Sequence, residues 1–155
     1  MHEGFVSDLL EAYDRYGLKP KQVCLEVPEV YFLENNPELS GNLHALKNKG
    51  YALRLDNFGS GYASMLYLKD FPLDGISIDK NFVRNVHADK HSRKSVLDIL
   101  ALAKSLDLEV VGEGIESEEQ NQFLRENGCH IVQGYLYARA MAREDALTLL
   151  RQSRN

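Results

Sequence analysis

Apolar residues at Phe5, Leu9, Leu10, Tyr13 and Tyr16 recur at helical spacing, and Gly17 stands where a glycine stop is expected. A short apolar run over 22–27, ended by Pro28, predicts a strand. The pattern then predicts a helix over 38–49 closed by Gly50, a strand over 51–56, an exit loop over 57–61, and a helix over 62–70 before Pro72. Further along it predicts a strand over 75–79 and a helix over 92–106, with Val96, Leu97, Leu100 and Ala103 on one stripe. A strand over 109–112 follows. Ser117-Glu-Glu-Gln120 has the form of a capping box, opening a helix that ends at Gly128. A fifth strand over 130–137 and a helix over 143–152 complete the chain. Strands and helices alternate strictly, which implies βα units, right-handed crossovers and a parallel sheet. No linker-like stretch or internal repeat divides residues 1–155, so a single domain is expected.

The polar residues fall at revealing places in that order. Four of the five expected strands end in a carboxylate, at Glu26, Asp56, Asp79 and Glu113, and the fifth carries Gln133-Gly134. In a parallel sheet those ends share one rim, where α/β proteins bind ligands. Each acid alone could cap the next helix or make a local ion pair. Four in register would repel one another unless a cation or proton were shared. Oxygen-only donors suit Mg²⁺, Mn²⁺ or Ca²⁺. The histidines (His2, His44, His87, His91 and His130) show no zinc spacing. The loop from Asn57 to Tyr62 could place amides around an anion, although a tight βα turn explains it equally well. Tyr62, Tyr67, Tyr135 and Tyr137 are expected to serve packing.

Charge and composition narrow the function classes. The 155 residues carry 18 Lys+Arg against 23 Asp+Glu, a net charge of −5, without a basic run. That balance argues against a nucleic-acid polymer or an anionic membrane as partner. No apolar stretch approaches the ~20 residues of a membrane span, and no signal-peptide core opens the chain. Cys24 and Cys129 lie in separate segments and read as free thiols of a reducing, cytoplasmic compartment.

Five segments together resemble one family. They are Leu25-Glu-Val-Pro-Glu29, Leu55-Asp-Asn-Phe-Gly-Ser-Gly-Tyr-Ala-Ser64, Ile76-Ser-Ile-Asp-Lys-Asn-Phe-Val83, Val111-Gly-Glu-Gly-Ile-Glu-Ser-Glu-Glu-Gln120 and Val132-Gln-Gly-Tyr-Leu136. In order and spacing these look like successive motifs of the EAL domain, the bacterial phosphodiesterases that linearise cyclic di-GMP, together with their degenerate relatives. The resemblance implies a modified TIM barrel. A (β/α)₈ barrel takes ~250 residues. The fold expected here is therefore an incomplete TIM-like α/β barrel of about five parallel strands. The family's opening strands, with the Glu-Ala-Leu signature, an Asn-bearing strand and two metal ligands, are expected before residue 1.

The same resemblance assigns roles. Glu26 and Asp56 match ligands of the first metal, and Glu113 stands at the general-base position. Gln133, Glu116 and Asp79 match substrate-side positions, and Glu29 matches a residue that steadies the loop after the Asp pair. Two positions depart from the pattern: Asn57 stands for a second Asp that helps hold the other metal, and Ser77 stands for a lysine near the water nucleophile. Asn for Asp removes a charge and an acceptor oxygen. Losing a transition-state charge contact costs ~10²–10³-fold in rate.

The expectation is therefore a degenerate, truncated EAL-type module, non-catalytic, binding a nucleotide or a partner. Mg²⁺ or Mn²⁺, or else Ca²⁺, would bind at low occupancy. Cyclic di-GMP and either self-association or a protein partner are the expected interactions, because an unclosed sheet leaves edges at both outer strands. Two alternatives stand beside it: a metal-dependent phosphodiesterase completed by the missing strands, and a purely structural surface that binds no nucleotide.

Overall fold

The computed structural model describes residues 4–32, 37–59 and 65–152, apart from the side chains of residues 5 and 65–67. Ser60, Gly61 and Tyr62 of the expected anion loop, and the side chains of Phe5 and Tyr67, lie outside the described residues. Five strands form one sheet: β1 (Cys24–Pro28), β2 (Ala52–Phe58), β3 (Gly75–Ile78), β4 (Glu109–Glu113) and β5 (Ile131–Gln133). They lie side by side in chain order, and every neighbouring pair is parallel. Helices α1 (Phe5–Tyr16), α2 (Pro37–Asn48), α3 (Met65–Asp70), α4 (Lys80–Arg84), α5 (Lys90–Ser105), α6 (Glu118–Glu126) and α7 (Arg143–Gln152) supply the connections and the two ends. Among the described residues, β1 and β5 each pair on one side only. No described helix is long and apolar enough to cross a membrane.

Alternation along the strands divides the sheet into two unlike faces. Leu53 and Leu55 of β2 and Ile76 and Ile78 of β3 are buried in the core with Leu43 and Leu46 of α2 and Val96 and Ala103 of α5. Each Leu, Ile and Val of this set contributes about 1.5–3 kcal/mol by leaving water. The residues between them, Arg54, Asp56, Gly75 and Ser77, belong to the opposite face, on which the chemistry gathers. β2 is irregular near its end, where its register with β3 shifts between Leu55 and Phe58. Asn57 sits there at φ 57°, in the left-handed region that asparagine tolerates better than most residues.

Helix ends follow the local sequence. Gly17 closes α1 at φ 63°, its N–H bonding the carbonyls of Tyr13 and Asp14. Asp89 caps α5 by accepting from the backbone of His91 and Ser92. Ser117 and Gln120 complete the expected capping box of α6.

Three expectations are corrected. Strand β5 stops at Gln133 instead of running to residue 137, because Leu136 N–H bonds the Ile115 carbonyl and Tyr137 N–H bonds the Gly134 carbonyl, turning the chain. Gly134 makes that turn possible, since a Cβ there would lie 2.1 Å from the Ile115 carbonyl oxygen. Tyr135 and Tyr137 are consequently exposed and take no part in the core. On α5 the buried stripe includes Ile99, and Leu97 is 37% exposed. A short helix, α4, follows β3 directly; its five residues carry too little periodicity to announce it.

Candidate metal and ligand site

Parallel register delivers side chains from β1, β2 and β4 to one place on the polar face. Glu26 aligns with Arg54 and Pro28 with Asp56, while Glu113 aligns with Gln133 on the far side. One carboxylate oxygen from each of Glu26, Asp56 and Glu113 lies within 4.8 Å of the others. Glu26 is exposed, whereas Asp56 and Glu113 are half-buried. Burial raises the pKa of Asp56, and the neighbouring Glu26 raises it further. Glu113 is raised likewise, by burial first and by Asp56 second. These carboxylates strain against each other's charge, and an all-oxygen trio of this spacing fits a hard divalent cation.

Neighbouring groups modify that charge. The Asn57 amide donates from Nδ2 to Asp56 Oδ2 at 2.7 Å. Ser77 is fully buried under the site; its hydroxyl makes no hydrogen bond of ordinary length, yet it faces Glu113 closely enough to favour the ionised form. Arg54 reaches across the face from Nη1 to Glu26 Oε1 at 3.2 Å and from Nη2 to Glu109 Oε2 at 2.9 Å.

The fourth rim carboxylate behaves differently. Asp79 caps α4, accepting from the Asn81 backbone at 2.7 Å, and stands outside the trio. Three of the four rim carboxylates therefore converge, and for Asp79 the helix-capping alternative is the one observed.

A cleft of about 310 Å³ adjoins Glu113, lined by Lys80, Arg84, Glu116, Gln133, Gly134 and Tyr135 among others. Glu116 pairs with Arg84 at 2.9 Å, and its N–H is held by Gln120 at 2.7 Å. Gly114, at φ 71°, leaves room for Lys80, which a Cβ would approach to 2.6 Å. Arg139 lies 4.4 Å over the ring of Tyr135, one of the lining residues. Glu29 is buried just beyond β1, at the start of the 3₁₀ turn Glu29–Phe32.

The strand-end pattern puts Glu26, Asp56 and Glu113 on one rim, where the structure brings one oxygen of each within 4.8 Å of the others; the general-base position of Glu113 is what the family resemblance implies. Sequence reasoning missed Arg54 and the basic side of the cleft. Arg54 was legible in principle: two residues before Asp56 on one strand, it must share that residue's face.

The chain is similar to known proteins in both sequence and fold. Residues 1–140 match the family described as EAL domain. The chain is 37% identical, over 88% of its length, to the cyclic di-GMP phosphodiesterase NbdA of Pseudomonas aeruginosa, and spans 17% of that protein. Its structure superposes on the PaMucR phosphodiesterase in complex with c-di-GMP with a TM-score of 0.89 at 35% identity, covering 94% of this chain and 59% of that one. Klebsiella pneumoniae BlrP1, solved with calcium and c-di-GMP, matches with a TM-score of 0.79 at 31% identity over 86% of this chain and 34% of that one. A manganese and c-di-GMP complex of BlrP1 matches with a TM-score of 0.81. The five parallel strands thus correspond to part of an EAL barrel.

Proposed function

The chain belongs to the EAL domain family, and from that premise we propose that it is a cyclic di-GMP signalling module that holds its ligand without cutting it. The observation that carries this reading is the bond from Asn57 to Asp56. At a position the family resemblance marks for a second metal-holding carboxylate, this chain presents a donor already engaged with the first. Ser77 supports the same reading, since a hydroxyl stands where the resemblance expects a cation beside an anionic substrate.

In this reading Glu26, Asp56 and Glu113 hold one divalent cation, Mn²⁺ or Mg²⁺, with Ca²⁺ an acceptable substitute; BlrP1 was solved with manganese and with calcium beside c-di-GMP. Once bound, the ion would supply positive charge to a phosphodiester's oxygens. Gln133 and Glu116 present amide and carboxylate groups to the ligand from the cleft beside Glu113. Asp79 serves this face by capping α4, which follows β3 directly. The two free thiols suit a cytoplasmic setting. The edges of β1 and β5 left unpaired among the described residues are where a second copy, a protein partner or further strands of an EAL barrel would pair.

One observation favours the catalytic alternative. Glu113 is half-buried with a raised proton affinity, as suits a general base. A turnover assay decides between the two. With Mn²⁺ and cyclic di-GMP, chromatography should show the substrate unchanged; linear pGpG accumulating at the rate of an active relative would overturn the non-catalytic reading.

A further inference from the structure

We propose that Arg54 is the resident counter-cation of the carboxylate trio, and that by holding Glu26 it sets how tightly this face takes a divalent metal. The inference rests on the reading of Glu26, Asp56 and Glu113 as a metal site and adds to it a residue that tunes the site.

Three observations converge on Arg54. Its guanidinium is fixed from two sides, by Glu26 of β1 at 3.2 Å and by Glu109 of β4 at 2.9 Å. Reaching Glu109 means crossing β3, and the β3 residue in register between them is Gly75, which has no side chain to obstruct the path. The side chain is only 16% exposed, and its Nε is buried without a hydrogen-bond partner. A guanidinium this enclosed, in a fork with two carboxylates, is a fixed charge and not a mobile surface one.

The consequence is electrostatic. The trio carries three negative charges when ionised, and Arg54 returns one positive charge at its Glu26 corner. A divalent ion must therefore either share Glu26 with the guanidinium or displace it. Arg54 also lets the carboxylates stay together when no ion is present, so metal-free and metal-bound forms of the face are closer in energy than three bare carboxylates would allow. A unit charge acting on a divalent ion across several ångströms of a water-exposed face changes affinity by about tenfold.

Mn²⁺ titration of the 155-residue protein tests this, followed by calorimetry and by the loss of the free-ion paramagnetic resonance signal. Arg54→Gln should tighten Mn²⁺ binding about tenfold. Arg54→Lys keeps the charge and should leave the affinity within about threefold of the parent, since the charge term is unchanged. Glu109→Gln removes the outer anchor together with one negative charge, commits the guanidinium to Glu26 and should weaken binding. If Arg54→Gln does not fold, as judged by circular dichroism, the Glu109→Gln result decides: weaker binding supports the role, unchanged or tighter binding overturns it. Equal or weaker affinity in a folded Arg54→Gln protein overturns the inference alone. Absence of Mn²⁺ binding in the parent and all variants overturns the metal reading, and this inference with it.

Discussion

Glu113→Gln should make the metal-free protein more stable while removing its response to metal. At the 4.8 Å limit of the trio, two unit charges repel by about 0.9 kcal/mol at the dielectric of water and about 3.5 kcal/mol at an effective value of 20. Glu113 takes part in two of the three pairs. Its pair with Glu26 is weakened because Glu26 is exposed and already bonded to Arg54. Solvent screening pulls the sum toward the lower limit, so the substitution should stabilise by about 1–2 kcal/mol. For a chain of this size that is a rise of about 2–8 °C in Tm. Glutamine keeps the shape of the side chain, so packing should not offset the gain. Calorimetry at neutral pH, with and without Mn²⁺, measures both effects. At a hundredfold excess over its Kd, Mn²⁺ should stabilise the parent by about 2.7 kcal/mol and the variant by far less. A metal-free Glu113→Gln protein less stable than the parent, or one with an undiminished Mn²⁺ shift, would refute the claim that these carboxylates are held together against their own repulsion.

Other substitutions probe the neighbouring groups. Asn57→Asp loses the amide donor to Asp56 and adds a fourth negative charge, so the metal-free protein should lose about 1.5–3 kcal/mol while Mn²⁺ binds more tightly; urea unfolding with and without Mn²⁺ reads both. Hydrogen bonds from Ser92 hold the Asp89 carboxyl below its ordinary pKa. A depressed folded value means the cap's contribution is present above the unfolded pKa and is lost as pH falls through the folded one. Asp89→Ala should accordingly be less stable than the parent at neutral pH, and the two thermal melts should converge in strong acid. Gly134→Ala would set a methyl 2.1 Å from the Ile115 carbonyl oxygen; denaturant unfolding should show a loss of about 3 kcal/mol.

Where side-chain spacing and backbone chemistry agree, the sequence was a sufficient guide. The capping box at Ser117 and the glycine after Tyr16 give two helix boundaries directly, because both act locally, the first through side chains of Ser117 and Gln120 three residues apart and the second through the glycine's own backbone. The parallel sheet followed from strict alternation of elements. The region after Gln133 misled, since Tyr135 and Tyr137 alternate as in a strand but the turn is set by a close contact between Gly134 and Ile115, nineteen residues apart in the chain. In the site, the acids were visible as strand ends, yet which of them converge depends on register. Register aligns Glu113 with Gln133, at the rim reached by Glu26 and Asp56, and leaves Asp79 one step past β3, where capping α4 claims it. The role of Arg54 needs the same register, since its partners come from β1 and β4 and its path crosses a glycine on β3.

Calorimetric titration of cyclic di-GMP, run with Mn²⁺, with a chelator, and on Asp56→Asn, addresses most directly whether this face is a cation-bridged nucleotide pocket. Saturable heat that requires Mn²⁺ and disappears in Asp56→Asn is the expected result. Binding of equal strength in the chelator and in the variant, or no binding under any condition, would contradict it.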